Sequence, residues 1–176
     1  MSLLPPFPYF GGKRSVAADV WVRLGSPSQY IEPFCGSAAV LLAAPKPAAL
    51  EVVCDASGFI ANFWRAVKHQ PAAVAEAADY PVSHIDLGAR HVWLMAQIER
   101  VGGALQDPDW PGDAKVAGWW LWGQCCWIGS GWCDWASAAR QQRREGRTGD
   151  WASAARRQRR TKAPDIHGPG CVAMAT

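Results

Sequence analysis

The chain has 176 residues, which is long enough for one compact domain with a substantial core. Its hydrophobic content of 49% is normal for a globular protein, and no apolar run reaches the ~18 residues that a membrane span needs. Residues 1–10 lack a basic segment followed by an apolar one, so we expect no signal peptide and a cytoplasmic location.

The net charge of +3 is unevenly distributed along the chain. Residues 1–139 carry nine Lys and Arg against twelve Asp and Glu, whereas residues 140–162 carry nine against two. The basic character therefore belongs to one segment near the C-terminus.

A strand–helix–strand–helix order follows a Pro/Gly-rich loop at residues 1–12. The spacing of apolar residues predicts strands over 29–34 and 49–54, and helices over 14–24, 38–44 and 58–69. Ser37 is the predicted N-cap of the second helix. Two parallel strands joined by a helical crossover are expected, so the fold class is α/β.

From residue 70 onward the pattern is helical. Helices are predicted over the Ala-rich residues 71–78, after a capping box formed by Ser83 and Asp86, over 89–101, and from 114 to about 127. Six of the eleven tryptophans lie between Trp119 and Trp135. We favour a role in the core for these rings, with stacking on bases or on an adenine ring as the alternative.

The C-terminal segment contains an internal duplication. Residues 134–144 recur at 150–160 with one difference, Gln141 against Arg157. Arginine dominates from residue 140, and apolar periodicity is absent, which is typical of disorder. We therefore divide the chain into residues 1–139, which form the folded region, and a basic tail at 140–176.

Six cysteines are present, at positions 35, 54, 125, 126, 133 and 171. In a chain of this length without an export signal, reduced thiols are favoured over a disulfide framework. The cluster at 125, 126 and 133 lacks the paired spacing of a zinc site, so we expect no bound metal.

Three short segments carry candidate binding residues. In the first, the pair Gly11-Gly12 lets the backbone approach a ligand, between Tyr9, which can stack, and Lys13, which can meet a negative group. In the second, the strand at 29–34 runs into a turn at Gly36, at the strand end where doubly wound folds bind nucleotides or nucleosides. No G-x-G-x-x-G occurs, which disfavours a pyrophosphate-binding loop.

The third segment ends the next strand at Asp55, nineteen residues after Gly36. A carboxylate at this place can accept hydrogen bonds from both ribose hydroxyls of an adenosyl ligand. The alternative is that Asp55 caps the helix that begins near Gly58.

Together the three segments resemble the DNA adenine-N6 methyltransferases that include the bacterial GATC-methylating enzymes and many phage enzymes. That family begins with P-[YW]-x-G-[GS]-K, continues with a strand ending E-P-F-x-G, and then has a strand ending in Asp before an Asn-Phe/Tyr helix. The corresponding residues here are 8–13, 32–36, Asp55 and 62–64. The resemblance covers residues 5–70, with a further Trp-rich likeness over 113–135.

The resemblance implies a Rossmann-like S-adenosylmethionine-dependent methyltransferase domain, incomplete at its C-terminal side, with S-adenosylmethionine as cofactor and DNA as partner. By resemblance, Tyr9 and Lys13 line the methionine and adenine side of the cofactor, and Asp55 holds its ribose. Gly36 gives the backbone room, and Glu32 and Phe34 shape the pocket. The predicted cofactor-binding residues are Tyr9, Gly11, Gly12, Lys13, Glu32, Phe34, Gly36 and Asp55.

One departure from the family concerns the chemistry itself. The D-P-P-Y motif, which orients the target amine and stacks on the flipped base, does not occur. The nearest imitation is Asp107-Pro108-Asp109-Trp110. Catalytic residues therefore stay unassigned, and a missing C-terminal segment or a partner chain is one way to complete the site. The alternatives are an inactive fragment that binds cofactor or DNA only, and a basic nucleic-acid-binding protein that acts through residues 140–162.

Overall fold

The computed structural model describes residues 3–9, 11–129, 131–134 and 171–174. Within these ranges the chain forms seven helices and three strands. The helices are α1 (Ala17–Leu24), α2 (Ala39–Leu42), α3 (Gly58–His69), α4 (Pro71–Ala78), α5 (His84–Ala96), α6 (Ile98–Ala104) and α7 (Ala114–Cys126). The strands are β1 (Gln29–Glu32), β2 (Leu50–Cys54) and β3 (Cys171–Met174).

The strands form one sheet in the order β1-β2-β3. β1 and β2 are parallel, with Gln29 opposite Leu50 and Glu32 opposite Val53, as the strand–helix–strand pattern predicts. β3 pairs with the other edge of β2 in the antiparallel direction. The described residues therefore form many helices around a small, partly parallel sheet, and a full Rossmann-like sheet is not present among them.

β3 lies in the C-terminal segment, for which the sequence predicts no regular structure. Residues 171–174 had no predicted strand, while the rest of that segment, including the arginine-rich duplication after residue 134, lies outside the described residues. The pairing of β3 is non-local, and four residues carry no periodicity from which a strand could be recognised.

α3 is central to the core. It packs against α4, α6 and α7, and every residue from Gly58 to Ala66 is buried. Two helices begin at side-chain caps: Ser83 accepts a hydrogen bond from the Asp86 N–H, as predicted, and Asp113 accepts one from the Val116 N–H.

The predicted cap at Ser37 is wrong. The N-cap of α2 is Ala38, which has a left-handed backbone (φ +52°) and makes no side-chain capping bond. The preceding turn is closed instead by the Ala38 N–H, which donates to the Cys35 carbonyl at 2.7 Å. Because this turn includes Ser37, the helix begins one residue later than the sequence suggests.

The loop between α6 and α7 is fastened to α3 by polar side chains. Asn62, which is fully buried, exchanges two hydrogen bonds with the backbone of Asp113, at 2.7 and 3.1 Å. Arg65 donates to the Asp107 carbonyl at 2.7 Å, and Gln70 donates to the Gly112 carbonyl at 3.0 Å. These bonds satisfy loop carbonyls that helix packing removes from water.

The Trp-rich segment belongs largely to the core, as favoured from the sequence. Trp120 is 2% exposed and Trp122 is 4% exposed. The Arg90 guanidinium lies 4.0–4.6 Å from the ring centroids of Tyr80, Trp119 and Trp122, so a buried cation is surrounded by aromatic faces.

The cysteines only partly follow the expectation of reduced thiols. Cys35, Cys125, Cys126 and Cys133 are free thiols, but Cys54 is disulfide-bonded. The residue opposite Cys54 in the antiparallel register is Cys171. The sequence carries no local signal of this register, because β2 and β3 are distant in the chain.

No helix among the described residues is long and apolar enough to cross a membrane. Within the same ranges, no group of three or more His, Cys, Asp or Glu side chains is placed to hold a metal ion.

The close contact of α4 with α7 gives a test of the packing. A Cβ on Gly118 would lie 2.5 Å from the Ala77 Cβ and 2.7 Å from the Val74 carbonyl oxygen, whereas a Cβ on Gly88 in α5 would meet nothing within 4 Å. We expect Gly118→Ala to lower the free energy of unfolding by about 1–3 kcal/mol through overpacking. Gly88→Ala should raise it by about 0.5–1 kcal/mol through helix propensity.

Urea denaturation followed by tryptophan fluorescence measures both changes. Equal effects of the two substitutions would contradict the packing of α4 against α7.

Candidate functional site

The loops that follow β1 and β2 meet at the carboxyl ends of the parallel strands. The Cys35 N–H donates to the Cys54 carbonyl at 3.0 Å and extends the strand pairing. One oxygen of the Asp55 carboxylate then accepts the Gly36 N–H, and the other accepts the Ser57 N–H, each at 3.0 Å. Asp55 therefore joins the turn after β1 to the residue that precedes α3.

These bonds show whether Asp55 caps α3. The N-cap of α3 is Ser57, and the Asp55 carboxylate accepts the N–H of that residue and not an N–H within the helix. Asp55 is partly exposed and borders a cavity described below. Asp55 thus links the two loops, and its carboxylate also lines the cavity.

Gly36 allows the N-terminal loop to pack against this turn. Its φ is +49°, and a Cβ at this position would lie 2.8 Å from Cδ1 of Tyr9. The space beside Gly36 is therefore filled by the Tyr9 ring. The Gly36 carbonyl accepts a hydrogen bond from Nε1 of Trp64 at 2.9 Å, which connects the turn to the core.

The N-terminal loop turns sharply after Tyr9. The Gly12 N–H donates to the Tyr9 carbonyl at 2.9 Å, and a Cβ on Gly12 would lie 2.9 Å from that same oxygen. Gly11 has a φ of +73°, a conformation that favours glycine. The Gly-Gly pair is thus required by the turn that presents Tyr9 and Lys13.

Lys13 connects this loop to β1. Its Nζ lies 2.8 Å from Oε1 of Glu32, and it also donates to the Phe34 carbonyl. The contact with Glu32 is an ion pair and not a well-aligned hydrogen bond. Glu32 is only 4% exposed, and its other oxygen accepts a hydrogen bond from the Tyr30 hydroxyl at 2.9 Å. Burial, followed by the charge of Glu32, raises the pKa of Tyr30, so this hydroxyl stays protonated.

A cavity of about 400 Å³ lies between these loops. Seven of the eight predicted residues line it: Tyr9, Gly11, Gly12, Lys13, Phe34, Gly36 and Asp55. The eighth, Glu32, does not line the cavity but pairs with Lys13. The volume is within the range of about 300–1,000 Å³ typical of small-molecule sites.

Three lining residues were not predicted: Cys35, Ser37 and Ala39. They follow Phe34 in the same motif, so their proximity to the site was the only available signal. Burial, with smaller contributions from Asp55 and Glu32, raises the pKa of Cys35 to about 12. Cys35 is therefore a neutral thiol in the wall of the cavity and not an activated nucleophile.

The Asp107–Trp110 segment takes no part in this cavity. It lies in the loop fastened by Arg65, and none of its residues is among the lining residues.

Replacing Lys13 and replacing Glu32 should lower the free energy of unfolding by different amounts. Lys13→Met leaves the buried Glu32 carboxylate without a cation, so we expect a loss of about 3 kcal/mol in the free energy of unfolding. Glu32→Gln leaves Lys13, whose side chain is 36% exposed and stays in contact with water, so we expect a loss of only about 1 kcal/mol. Urea denaturation of both single variants and the double variant measures the difference. A smaller loss for Lys13→Met than for Glu32→Gln would contradict the buried pair.

Thiol reactivity tests the burial around the cavity. We expect iodoacetamide at about pH 8 to label the exposed Cys125 first, even though burial and the neighbouring Cys126 raise the pKa of Cys125 as well. Cys35 and Cys133 should stay unlabelled in the folded chain, because burial raises the pKa of both thiols and keeps reagent away. Mass-spectrometric mapping, with urea-unfolded chain as the control, reads this order. Rapid labelling of folded Cys35 would overturn it.

A comparison of the chain with known protein families gives a match in its first half. Residues 9–85 match the family model described as D12 class N6 adenine-specific DNA methyltransferase, and the match corresponds to the N-terminal part of that family. This match confirms the resemblance to the N-terminal part of that family that the three motifs indicate. No curated protein and no solved structure matches the chain.

Proposed function

We propose that the chain binds S-adenosylmethionine in the cavity beside Tyr9. We further propose that it forms the cofactor-binding part of a DNA adenine-N6 methyltransferase, which acts on DNA in the cytoplasm. The observation that carries this proposal is that seven residues chosen from three separate sequence segments line a single cavity. The family match over residues 9–85 includes all seven of these residues and supports the same class of reaction. When bound, the cofactor supplies an activated methyl group on a sulfonium.

The chemistry of the cavity fits such a ligand. Each Asp55 oxygen already accepts one backbone N–H, but a carboxylate offers about four acceptor positions, so both oxygens retain capacity for ribose hydroxyls. Tyr9 and Phe34 supply aromatic surface at the wall, and Phe34 is 75% exposed. An exposed phenyl ring on a cavity wall gains contact area when a planar group binds against it.

Lys13 takes a different part in this proposal from the one suggested by the motif. Its charge is matched by the buried Glu32 carboxylate, so it holds the Gly-Gly loop on β1 while its side chain lines the cavity. Its contribution to ligand binding is to position Tyr9 and the loop as well as to contact the ligand.

A second candidate function is cofactor or DNA binding without methyl transfer. The specific observation in its favour is that the 176 residues contain no D-P-P-Y, and that the closest imitation, Asp107–Trp110, lies in a loop fastened to α3 and not on the cavity. Under this alternative, the chain binds the cofactor or DNA and does not orient a target amine for methyl transfer.

Calorimetric titration of S-adenosylmethionine tests the cofactor site. We expect Phe34→Ala to weaken binding by about threefold to tenfold through lost aromatic contact, with unchanged stability because the ring is exposed. Asp55→Asn should weaken it by about tenfold or more, since a hydrogen bond to a charged acceptor is lost. Val22→Ala, at a position on α1 that is 84% exposed, is the matched control and should bind as the wild type does. Absence of binding in the folded wild type would overturn the proposal.

Transfer of a labelled methyl group to adenine-containing duplex DNA separates the two candidates. Transfer at saturating cofactor supports the methyltransferase, while cofactor binding with no transfer supports the binding-only alternative.

A further inference from the structure

The cavity beside Tyr9 is lined by one cation and one carboxylate. Among the described residues that line this cavity of about 400 Å³, Lys13 and Asp55 are the two with charged side chains. Tyr9 and Cys35 also line it. Burial, with a smaller contribution from Asp55, raises the pKa of both groups, so both stay neutral near neutral pH. Taken alone, the wall would therefore carry no net charge.

A third charge lies behind this wall and changes the balance. The Glu32 carboxylate does not line the cavity, but its Oε1 lies 2.8 Å from the Lys13 Nζ. Glu32 is only 4% exposed, and solvent and salt screen buried charges much less than exposed ones. The Lys13 charge is therefore neutralised at close range. Because Lys13 is positive while Glu32 and Asp55 are negative, the three side chains together leave one net negative charge beside the cavity.

The Glu32 carboxylate is held in this position from its other side. The Tyr30 hydroxyl donates to Oε2 at 2.9 Å, and the Tyr30 ring packs against Trp21, with ring centroids 4.9 Å apart. Burial, followed by the charge of Glu32, raises the pKa of Tyr30, so its hydroxyl stays a neutral donor. The two partners of Glu32 therefore differ in kind: Tyr30 contributes a hydrogen bond without charge, and Lys13 contributes a charge.

A ligand in this cavity lies close to all of these charges. A cavity of about 400 Å³ is about as wide as the Debye length, which is ~8 Å at physiological ionic strength. Every part of a bound ligand is therefore within electrostatic reach of Asp55 and of the Lys13–Glu32 pair. One net negative charge at this distance favours a ligand that carries a positive charge over a neutral ligand of the same shape.

A further carboxylate near Tyr9 has the same sign. Tyr9 also lines a second cavity, of about 750 Å³, whose other lining residues include Trp120, Trp127, Trp132 and Asp134. The negative charge of Asp134 contributes to the raised pKa of Tyr9, after burial, Asp55 and Cys35, so this carboxylate lies near the ring. Substitutions at Lys13 or Glu32 leave this charge in place, and its effect therefore cancels when such variants are compared with the wild type.

We propose that Glu32 is a specificity-determining residue that selects the charge of the ligand: by neutralising Lys13, it leaves the cavity with a net negative charge and favours a cationic sulfonium over the corresponding neutral thioether. The inference rests on the proposed function, because the sulfonium is that of S-adenosylmethionine and the thioether is S-adenosylhomocysteine, which remains after the methyl group is lost. It gives Glu32, which does not line the cavity, an electrostatic role in ligand binding.

These two ligands isolate the charge. They share the adenosine and amino-acid parts and differ by one methyl group and by the charge that it places on the sulfur. Calorimetric titration of both into the full chain gives two dissociation constants, and the preference for S-adenosylmethionine is their ratio. We expect Glu32→Gln, which keeps the size of the side chain, to lower this preference by about twofold to thirtyfold. This is the range that Coulomb's law gives for unit charges ~8 Å apart, between the dielectric constant of water and that of a protein surface.

Tyr30→Phe is the matched control. It disturbs the same carboxylate by removing its neutral donor, but it leaves every charge in place. Any loss of affinity in this variant should be equal for the two ligands, so the preference stays as in the wild type.

The double variant Lys13→Gln/Glu32→Gln tests the sign of the effect. It removes one positive and one negative charge together, so the net charge beside the cavity returns to that of the wild type. We expect the preference that Glu32→Gln lowers to be restored, even where both ligands bind more weakly. A role of Glu32 in packing alone predicts no such rescue.

The outcomes separate this inference from the proposed function. Thermal unfolding of each variant confirms that the titrations are made on folded chain. If both ligands bind Glu32→Gln with the wild-type preference, or if Tyr30→Phe changes the preference as much as Glu32→Gln does, the inference is overturned and the proposed function stands. If the folded wild type binds neither ligand, the proposed function fails and the inference fails with it.

Discussion

The two hydrogen bonds that Asp55 accepts hold the candidate site together. One carboxylate oxygen takes the Gly36 N–H and the other takes the Ser57 N–H, so the end of β1 and the beginning of α3 are kept at a set separation. Bonds to a charged acceptor are roughly twice as strong as neutral ones. The turn fixed in this way receives the Tyr9 ring on one side and the Trp64 indole at its carbonyl. A carboxylate that uses only part of its accepting capacity on the backbone can define a cavity and also face a ligand in it.

α3 connects the turn after β1 to the helices that follow it in the chain. From the middle of α3, Trp64 donates to the Gly36 turn, while Asn62 and Arg65 bind the loop that precedes α7. All three side chains donate to backbone carbonyls, which are costly to bury without a partner. Because α7 starts directly after that loop, its position and that of the tryptophans it carries follow from the polar residues of α3. The cavity beside Gly36 and the larger cavity lined by Trp120, Trp127 and Trp132 are therefore parts of one packing arrangement.

Much of this arrangement could be predicted from local sequence. The bounds of α3 and α4 agree with the sequence to the residue, because apolar spacing is regular there and Pro71 marks the start of α4. Seven cavity residues could be chosen because the carboxyl ends of adjacent parallel strands meet. What could not be predicted depends on distant partners. β3 requires a non-local pairing with β2, and the link between Lys13 and Glu32 requires knowing that the Glu32 side chain is buried. The larger cavity lined by Trp120, Trp127 and Trp132 depends on a turn of the chain after α7, for which the sequence has no periodic signal.

The position of Tyr9 between the two cavities has a thermodynamic consequence. A single ring forms part of both walls, and it rests on Gly36, where no side chain separates it from the backbone. Any shift of that ring enlarges one space as it narrows the other. Two ligands that both contact this ring affect each other's binding. This coupling is reciprocal, because each ligand changes the affinity of the other by the same factor. Any coupling between ligands in the two cavities is thus a property of the Tyr9 side chain, and not of either cavity taken separately.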